Sequence, residues 1–378
     1  MQFIDIQAQH RRLRPRIDAA IAEVLDHGQF VLGPEVRAFE AELAEFAGAA
    51  HALGVANGTD ALILPLMAWG IGPGDAVFCP SFTYCATAEA IALTRATPVF
   101  VDIERDSYNM CAAALERAVD QVRRAGELAP RAVIVVDLFG RSADYPALAP
   151  VARAAGLKII SDAAQAFGTR WQGHTPLHWT DVMSTSFFPA KPLGACGDGG
   201  AVLCDDAELA SVLDSLRVHG KGASKYDNVR VGLNSRLDTL QAAILRVKLG
   251  VFAEEIAARG RIAKRYTTAL VDVVERVPEV PEPILSTWAQ YTVEVAEPAA
   301  LAERLAAAGV PTARYYPVPI HRQTAYRAFP VAGQTGGSGL PNTDAAAARV
   351  ISLPMHAYLD PGDQDRVVEV LAQALAQT

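Results

Sequence analysis

Between residues 50 and 205, short β-branched and apolar runs recur, separated by longer stretches rich in Ala, Leu and Glu. The runs Ala52–Val55, Ala76–Cys79, Pro98–Asp102, Ala132–Asp137, Leu157–Asp162, Val182–Phe187 and Ala201–Cys204 read as strands, with Tyr84–Thr94 and Tyr145–Ala155 among the helices between them. Strands separated by helices of this length form βαβ units, so the pattern predicts a largely parallel sheet covered on both faces. Four of the strands end in, or run into, a polar residue: Asp102, Asp137, Asp162 and Ser186. In open α/β sheets the carboxyl ends of the strands are where ligands sit.

Further along, Ser235-Arg-Leu-Asp238 has a capping-box pattern and opens a long helix with Leu237, Leu240, Ile244 and Val247 on one stripe. The texture then changes. Glu254–Arg265 reads as a charged helix, and Pro278, Pro281 and Pro283 punctuate the segment after it. An alternating strand (Tyr291–Val295), an Ala-rich helix (Pro298–Ala308), a strand around Thr312–Tyr316 and a terminal helix using Val367, Val368, Leu371 and Leu375 complete the chain. The expected organisation is a large α/β domain over residues 1–250 and a smaller α+β domain over 251–378. A Gly-rich stretch at Val331–Gly339 reads as surface loop.

Composition narrows the function. Of 378 residues, 51% are hydrophobic and 20% charged, which rules out a disordered chain. A net charge of −8 argues against nucleic-acid binding, which needs a basic face. The five cysteines (79, 85, 111, 196 and 204) are scattered and form no CxxC pair, so neither a metal site nor a disulfide framework is expected. The longest apolar run, Ala61 to Ile71, is interrupted by Pro65 and is too short for a membrane span. Met1-Gln-Phe-Ile-Asp5 lacks a signal-peptide core, so Asn57-Gly58-Thr59 reads as a chance sequon and the expected location is the cytoplasm.

Three segments carry candidate chemistry. Asn57-Gly58-Thr59-Asp60 lies between a strand and an apolar helix, where free N–H groups form a phosphate nest or an ordinary helix cap. Asp162, with Gln165 about one helical turn on, is delivered to the ligand edge by an apolar strand. Its carboxylate serves either to anchor a protonated ring nitrogen or to cap the next helix. Lys191 sits between Ala190 and Pro192, five residues past Ser186 at a strand end. Apolar surroundings lower a lysine pKa and free the amine for Schiff-base chemistry, although a lone lysine is usually a surface one. Phosphate nest, ring-nitrogen carboxylate and activated lysine, in that order on one sheet, specify pyridoxal 5′-phosphate. No Walker loop or Rossmann fingerprint signals a nucleotide cofactor.

Over nearly its whole length the chain resembles the nucleotide-sugar aminotransferases of the DegT/DnrJ/EryC1/StrS family, fold type I pyridoxal-phosphate enzymes. The matching runs include Gly28-Gln-Phe-Val-Leu-Gly-Pro-Glu-Val, Asn57-Gly-Thr-Asp-Ala-Leu, Pro80-Ser-Phe-Thr-Tyr84, Asp162-Ala-Ala-Gln165 and Ser186-Phe-Phe-Pro-Ala-Lys191. They continue with Gly232-Leu-Asn234-Ser-Arg-Leu-Asp and Tyr316-Pro-Val-Pro-Ile-His321. The resemblance implies Lys191 as the Schiff-base lysine, Asp162 on the ring nitrogen, Gln165 at the ring hydroxyl and Tyr84 on the ring face. It implies Gly58, Thr59 and Ser186 at the phosphate, together with Asn234 from a neighbouring subunit, and hence a homodimer with shared sites. The exposed apolar run Phe30-Val31-Leu32 agrees with a covered interface.

Tyr316 and His321 lie where the family meets its substrate; read alone, their segment is equally a strand-end loop. His219-Gly220 matches a family run without an assignable role, and Ala195-Cys196 departs from the bulkier residues of relatives. The implied reaction moves an amino group from L-glutamate, releasing 2-oxoglutarate, to a nucleotide-linked ketosugar. Several runs look most like enzymes that aminate UDP-2-acetamido-2-deoxy-3-oxo-glucuronate for O-antigen synthesis. That substrate carries a carboxylate, for which Arg236 and Arg314 are the candidate partners. The alternatives are a 3-keto- or 4-keto-6-deoxyhexose on dTDP, UDP or GDP, a sugar dehydratase on the same scaffold, which Lys191 argues against, and a non-catalytic sugar-binding regulator.

Overall fold

The computed structural model describes residues 1–224, 226–333 and 339–376. Its centre is a seven-stranded sheet in the order His51–Val55, Gly200–Cys204, Val182–Ser186, Lys158–Asp162, Ala129–Val136, Asp75–Pro80, Thr97–Val101. Gly200–Cys204 runs antiparallel to both neighbours, and every other pair is parallel. The seven strands expected between residues 50 and 205 are all present, with ends shifted by a few residues at most.

Alternate residues of the strands feed two cores. Val77, Cys79, Ala132, Ile134 and Ile160 face one, with Leu64, Ile91 and Phe100. Ala76, Phe78, Val133, Val135 and Ile159 face the other, with Leu115, Val119 and Leu148. Burial on both faces is why these strands read as continuous apolar runs.

Two of the four polar strand ends are structural. Asp102 caps the helix Pro341–Arg349, its carboxylate accepting from the Asn342 and Thr343 N–H groups and the Thr343 hydroxyl. Asp137 accepts from Ala143 N–H, the Tyr145 hydroxyl and the Ser161 hydroxyl, and is fully buried.

One helix of 32 residues, Thr239–Leu270, replaces the two expected helices. The expected division near residue 250 falls inside it. Ala242, Leu245, Leu249, Phe252 and Ile256 pack beneath the large sheet, whereas Ile262, Ala263, Tyr266 and Leu270 belong to a separate core. That core includes the antiparallel pair Tyr291–Glu294 and Val350–Leu353 and the helices Pro298–Ala307 and Pro361–Leu375. Ile320, Val331 and Leu340 return to the core of the large sheet.

Two local expectations fail. The capping box does not form: Asp238 makes no side-chain cap bond, and the Ser235 hydroxyl accepts the Ala56 N–H at 3.2 Å. Residues 312–316 form no strand, only a bridge between Ala313 and Ser352. Residues 334–338 of the expected Gly-rich loop lie outside the described residues. Between the helices Ile6–His27 and Pro34–Ala47, Phe30 and Val31 are about half exposed (47% and 51%), while Leu32 packs against the chain's own core.

Candidate active site

The sheet's carboxyl edge and the 314–323 segment enclose a cavity of about 810 Å³. Its floor is built at two strand ends. Ser186 closes Val182–Ser186 opposite Gly200, which in turn pairs with Val55. The chain leaving Val55 turns at Asn57, whose Oδ1 accepts the Asp60 N–H at 2.8 Å and starts the helix Gly58–Ala68. The Asn57 cap is thus real, and it leaves the nest free: among the described residues the N–H groups of Gly58 and Thr59 have no acceptor. A Cβ on Gly58 would stand 2.6 Å from the Ser186 Cβ, so only glycine lets the helix start approach the strand end this closely. The Ser186 hydroxyl accepts from Phe188 N–H at 3.2 Å and keeps its own hydrogen to donate.

The adjacent strand Lys158–Asp162 brings Asp162 to the same edge, 8% exposed. Its Oδ2 accepts from the Thr87 hydroxyl at 3.1 Å and its Oδ1 from Ala164 N–H at 3.2 Å. Burial raises the Asp162 pKa; Ala164, the charge of Lys191 and Thr87 oppose that rise. Lys191 lines the same cavity, and burial lowers its pKa while Asp162 pulls it back. Each of these groups therefore leans on the other for its charge.

Gln165 follows from the turn after Asp162. Its Oε1 accepts Phe139 N–H and its Nε2 donates to the Tyr316 hydroxyl at 3.1 Å. Burial raises the Tyr316 pKa, keeping the phenol neutral. The exposed Tyr84 ring lies 6.4 Å from the Tyr316 ring across the cavity wall.

The donor set suits a planar, phosphorylated, cationic-ring cofactor. Free N–H groups and a hydroxyl wait at one end, a buried carboxylate at the other, and a half-buried lysine lines the same chamber. Of the expected residues, Gly58, Thr59, Tyr84, Asp162, Gln165, Ser186, Lys191, Arg314 and Tyr316 line this cavity.

Asn234, Arg236 and His321 do not. Arg236 donates to Asn234 Oδ1 away from the cavity. His321 is turned away from it: its Nδ1 lies 2.7 Å from the Ser81 hydroxyl and its Nε2 3.6 Å from Asp344. The fixed ring explains why this histidine of a substrate-side segment does not reach the chamber. Sequence reasoning passed over Thr87 and Gln290, which also line it. Thr87 lies in an Ala-rich helix with no local signal, and Gln290 is brought in from the smaller core.

Comparison with known proteins identifies the family. The sequence matches the DegT/DnrJ/EryC1/StrS aminotransferase family across residues 11–372. The chain belongs to that family. It is similar to the UDP-2-acetamido-2-deoxy-3-oxo-D-glucuronate aminotransferase of Pseudomonas aeruginosa, 46% identical over 95% of this chain and 96% of the relative. Among solved structures it is similar to a family aminotransferase from Brucella abortus, 50% identical, with a TM-score of 0.95 and 98% of both chains covered. It is also similar to DesV of S. venezuelae, solved with a ketimine intermediate: 38% identical, TM-score 0.93, covering 100% of this chain and 99% of that one. A solved relative holds the cofactor in its pyridoxamine form. The protein is therefore a fold type I, pyridoxal-phosphate-dependent aminotransferase. Among the described residues no cluster could hold a metal ion, and no helix is long and apolar enough to cross a membrane.

Proposed function

We propose that the enzyme transfers an amino group from L-glutamate to the 3-keto carbon of UDP-2-acetamido-2-deoxy-3-oxo-glucuronate, yielding a 3-amino sugar acid for O-antigen or a related polysaccharide. The observation that carries the reaction type is that Lys191 and the buried Asp162 line one cavity and each acts on the other's charge. Pyridoxal phosphate, when bound, supplies the electron sink that stabilises charge on the substrate carbon.

The remaining work falls to the chain. Gly58, Thr59 and Ser186 bind the phosphate, and Tyr84 covers the ring face. Asp162 holds a proton at the ring nitrogen, and Gln165 meets the ring hydroxyl. With the cofactor bound, the depressed pKa of Lys191 would leave its amine free to take a proton from the amino donor's α-carbon and return it, across the intervening nitrogen, to the cofactor's C4′. Tyr316, held neutral and bonded to Gln165, borders the sugar side.

Substrate choice rests on Arg314. Its Nη2 donates to the Ala347 carbonyl at 3.1 Å, while among the described residues its buried Nε has no partner, and its side chain lines the cavity. A sugar carboxylate would supply the missing acceptor. This fits the acidic sugar of the Pseudomonas relative; a neutral 6-deoxyhexose would leave the group unmatched.

We further propose a homodimer with shared sites. Arg236 engages Asn234 Oδ1, which leaves the Asn234 amide N–H to donate to the phosphate held by a second copy. The half-exposed Phe30 and Val31 would be covered in the same assembly. Five free cysteines suit a reducing, cytoplasmic setting.

The test of the reaction is the first half-reaction alone. Adding L-glutamate to holoenzyme should move the cofactor's visible absorption to the pyridoxamine band. No shift with any amino donor would reject the reading.

A further inference from the structure

Asp162 is gripped by a residue outside the cofactor-binding set. Thr87 stands in the first turn of the helix Ala86–Leu93, and both Thr87 and Asp162 are buried (1% and 8% exposed). Its hydroxyl donates to Asp162 Oδ2 at 3.1 Å. Thr87 has one hydroxyl hydrogen, and it is spent on that bond. The 3.3 Å contact between the Thr83 and Thr87 hydroxyls is therefore donated by Thr83. The result is a directed chain, Thr83 to Thr87 to Asp162, ending on an acceptor that is strongest when ionised. Hydrogen bonds to a charged carboxylate favour the charged form, and hydroxyls in series polarise one another.

We infer that Thr87 is a positioning residue of the reaction, holding the Asp162 carboxylate ionised and oriented for the cofactor's ring nitrogen. This rests on the reading of Asp162 as that nitrogen's anchor. One Oδ1 lone pair goes to Ala164 N–H, so the two protein bonds leave the carboxylate little freedom to rotate. Lys191, from the loop after Val182–Ser186, also acts on Asp162, and the Asp162 charge in turn bears on Asp137 and Tyr145 at the neighbouring strand end and its following helix and on Tyr316 of the substrate-side segment. None of them changes when the Thr87 hydroxyl is removed, so a shift in behaviour belongs to that hydroxyl.

The experiment strips the full-length enzyme of cofactor and measures rebinding of pyridoxal 5′-phosphate across pH by absorbance, with no substrate present. Binding should weaken at the acid end as Asp162 takes up a proton. Thr87→Val keeps the side-chain shape and deletes the donor, and should move that acid limb up by about one pH unit, a tenfold loss of affinity within the window. Thr87→Ser restores the hydroxyl and should return the limb to its wild-type position. If Thr87→Val does not fold, Thr87→Ala asks the same question.

Asp162→Asn separates the inference from its premise. If that variant keeps the wild-type acid limb, Asp162 is not the anchor and both readings fall. If it abolishes the limb while Thr87→Val leaves it in place, the Thr87 role alone is overturned. Equal shifts in Thr87→Val and Thr87→Ser would also overturn it, since packing and not the hydroxyl would be the cause.

Discussion

The amide of Gln165 is held at both ends: Oε1 accepts the Phe139 N–H at 2.8 Å, and Nε2 donates to the Tyr316 hydroxyl at 3.1 Å. Phe139 adopts a left-handed backbone (φ 60°), an uncommon conformation for a residue with a side chain, and it aims its N–H at Gln165. The amide therefore cannot flip, and its donor side is committed to the cavity. Gln165→Glu keeps an acceptor for Phe139 but replaces the donor with a second acceptor. Cofactor affinity, measured by titrating the stripped enzyme, should fall about tenfold. Unchanged affinity would remove Gln165 from the cofactor's ring.

Lys191→Ala should leave cofactor binding in place, since Gly58, Thr59, Ser186 and Asp162 remain. Rapid mixing with L-glutamate should show the half-reaction slowed by at least about 10²–10⁴-fold, the share typical of a positioned proton carrier. A half-reaction within threefold of wild type would sink the assignment of Lys191.

Much of the fold can be read from the sequence because the sheet is buried on both faces, which makes strand segments such as Val133–Val136 continuous apolar runs. What cannot be read is which polar strand end serves chemistry. Asp102, Asp137 and Asp162 look alike in sequence, yet the first caps a helix, the second ties three donors together, and only the third lines the cavity. The Ser235 capping box failed because its hydroxyl is claimed by Ala56 from another strand's exit, a contact set by tertiary structure alone. For the same reason neither Thr87 nor Gln290 carried a local signal. Lys191 and Gly58, which do line the cavity, could be singled out because their immediate neighbours in the chain mark them.

If Asn234 serves a neighbouring subunit, mixed dimers give a clear result. Lys191→Ala and Asn234→Ala homodimers should each be impaired. Mixing and re-forming dimers should restore activity, because one site in each hybrid combines an intact Lys191 with an intact Asn234 from its partner. No recovery in hybrids confirmed by sedimentation would place Asn234 in its own subunit's chemistry or in none.

Burial pushes the Asp137 carboxyl up to about 7, well above its unfolded value. The folded chain then binds more protons than the unfolded one between about pH 4 and 7, so this group lowers stability as pH rises through that window, with a constant cost above it. Asp137→Asn removes the titration. Thermal unfolding of both proteins across this range should show wild type losing stability with rising pH relative to the variant. Parallel profiles would mean that Asp137 titrates normally.

The most direct test of the proposed function loads the enzyme with pyridoxamine 5′-phosphate and offers candidate ketosugars one at a time. UDP-2-acetamido-2-deoxy-3-oxo-glucuronate should restore the pyridoxal absorption band. Arg314→Gln should weaken that response by about tenfold in half-saturating sugar, the scale of one lost charge-assisted bond. Neutral 6-deoxy ketosugars on dTDP, UDP or GDP should restore the band poorly, and the Arg314 substitution should not affect them. If only a 6-deoxy sugar restores the band, the acidic-sugar assignment is wrong and Arg314 is no carboxylate clamp.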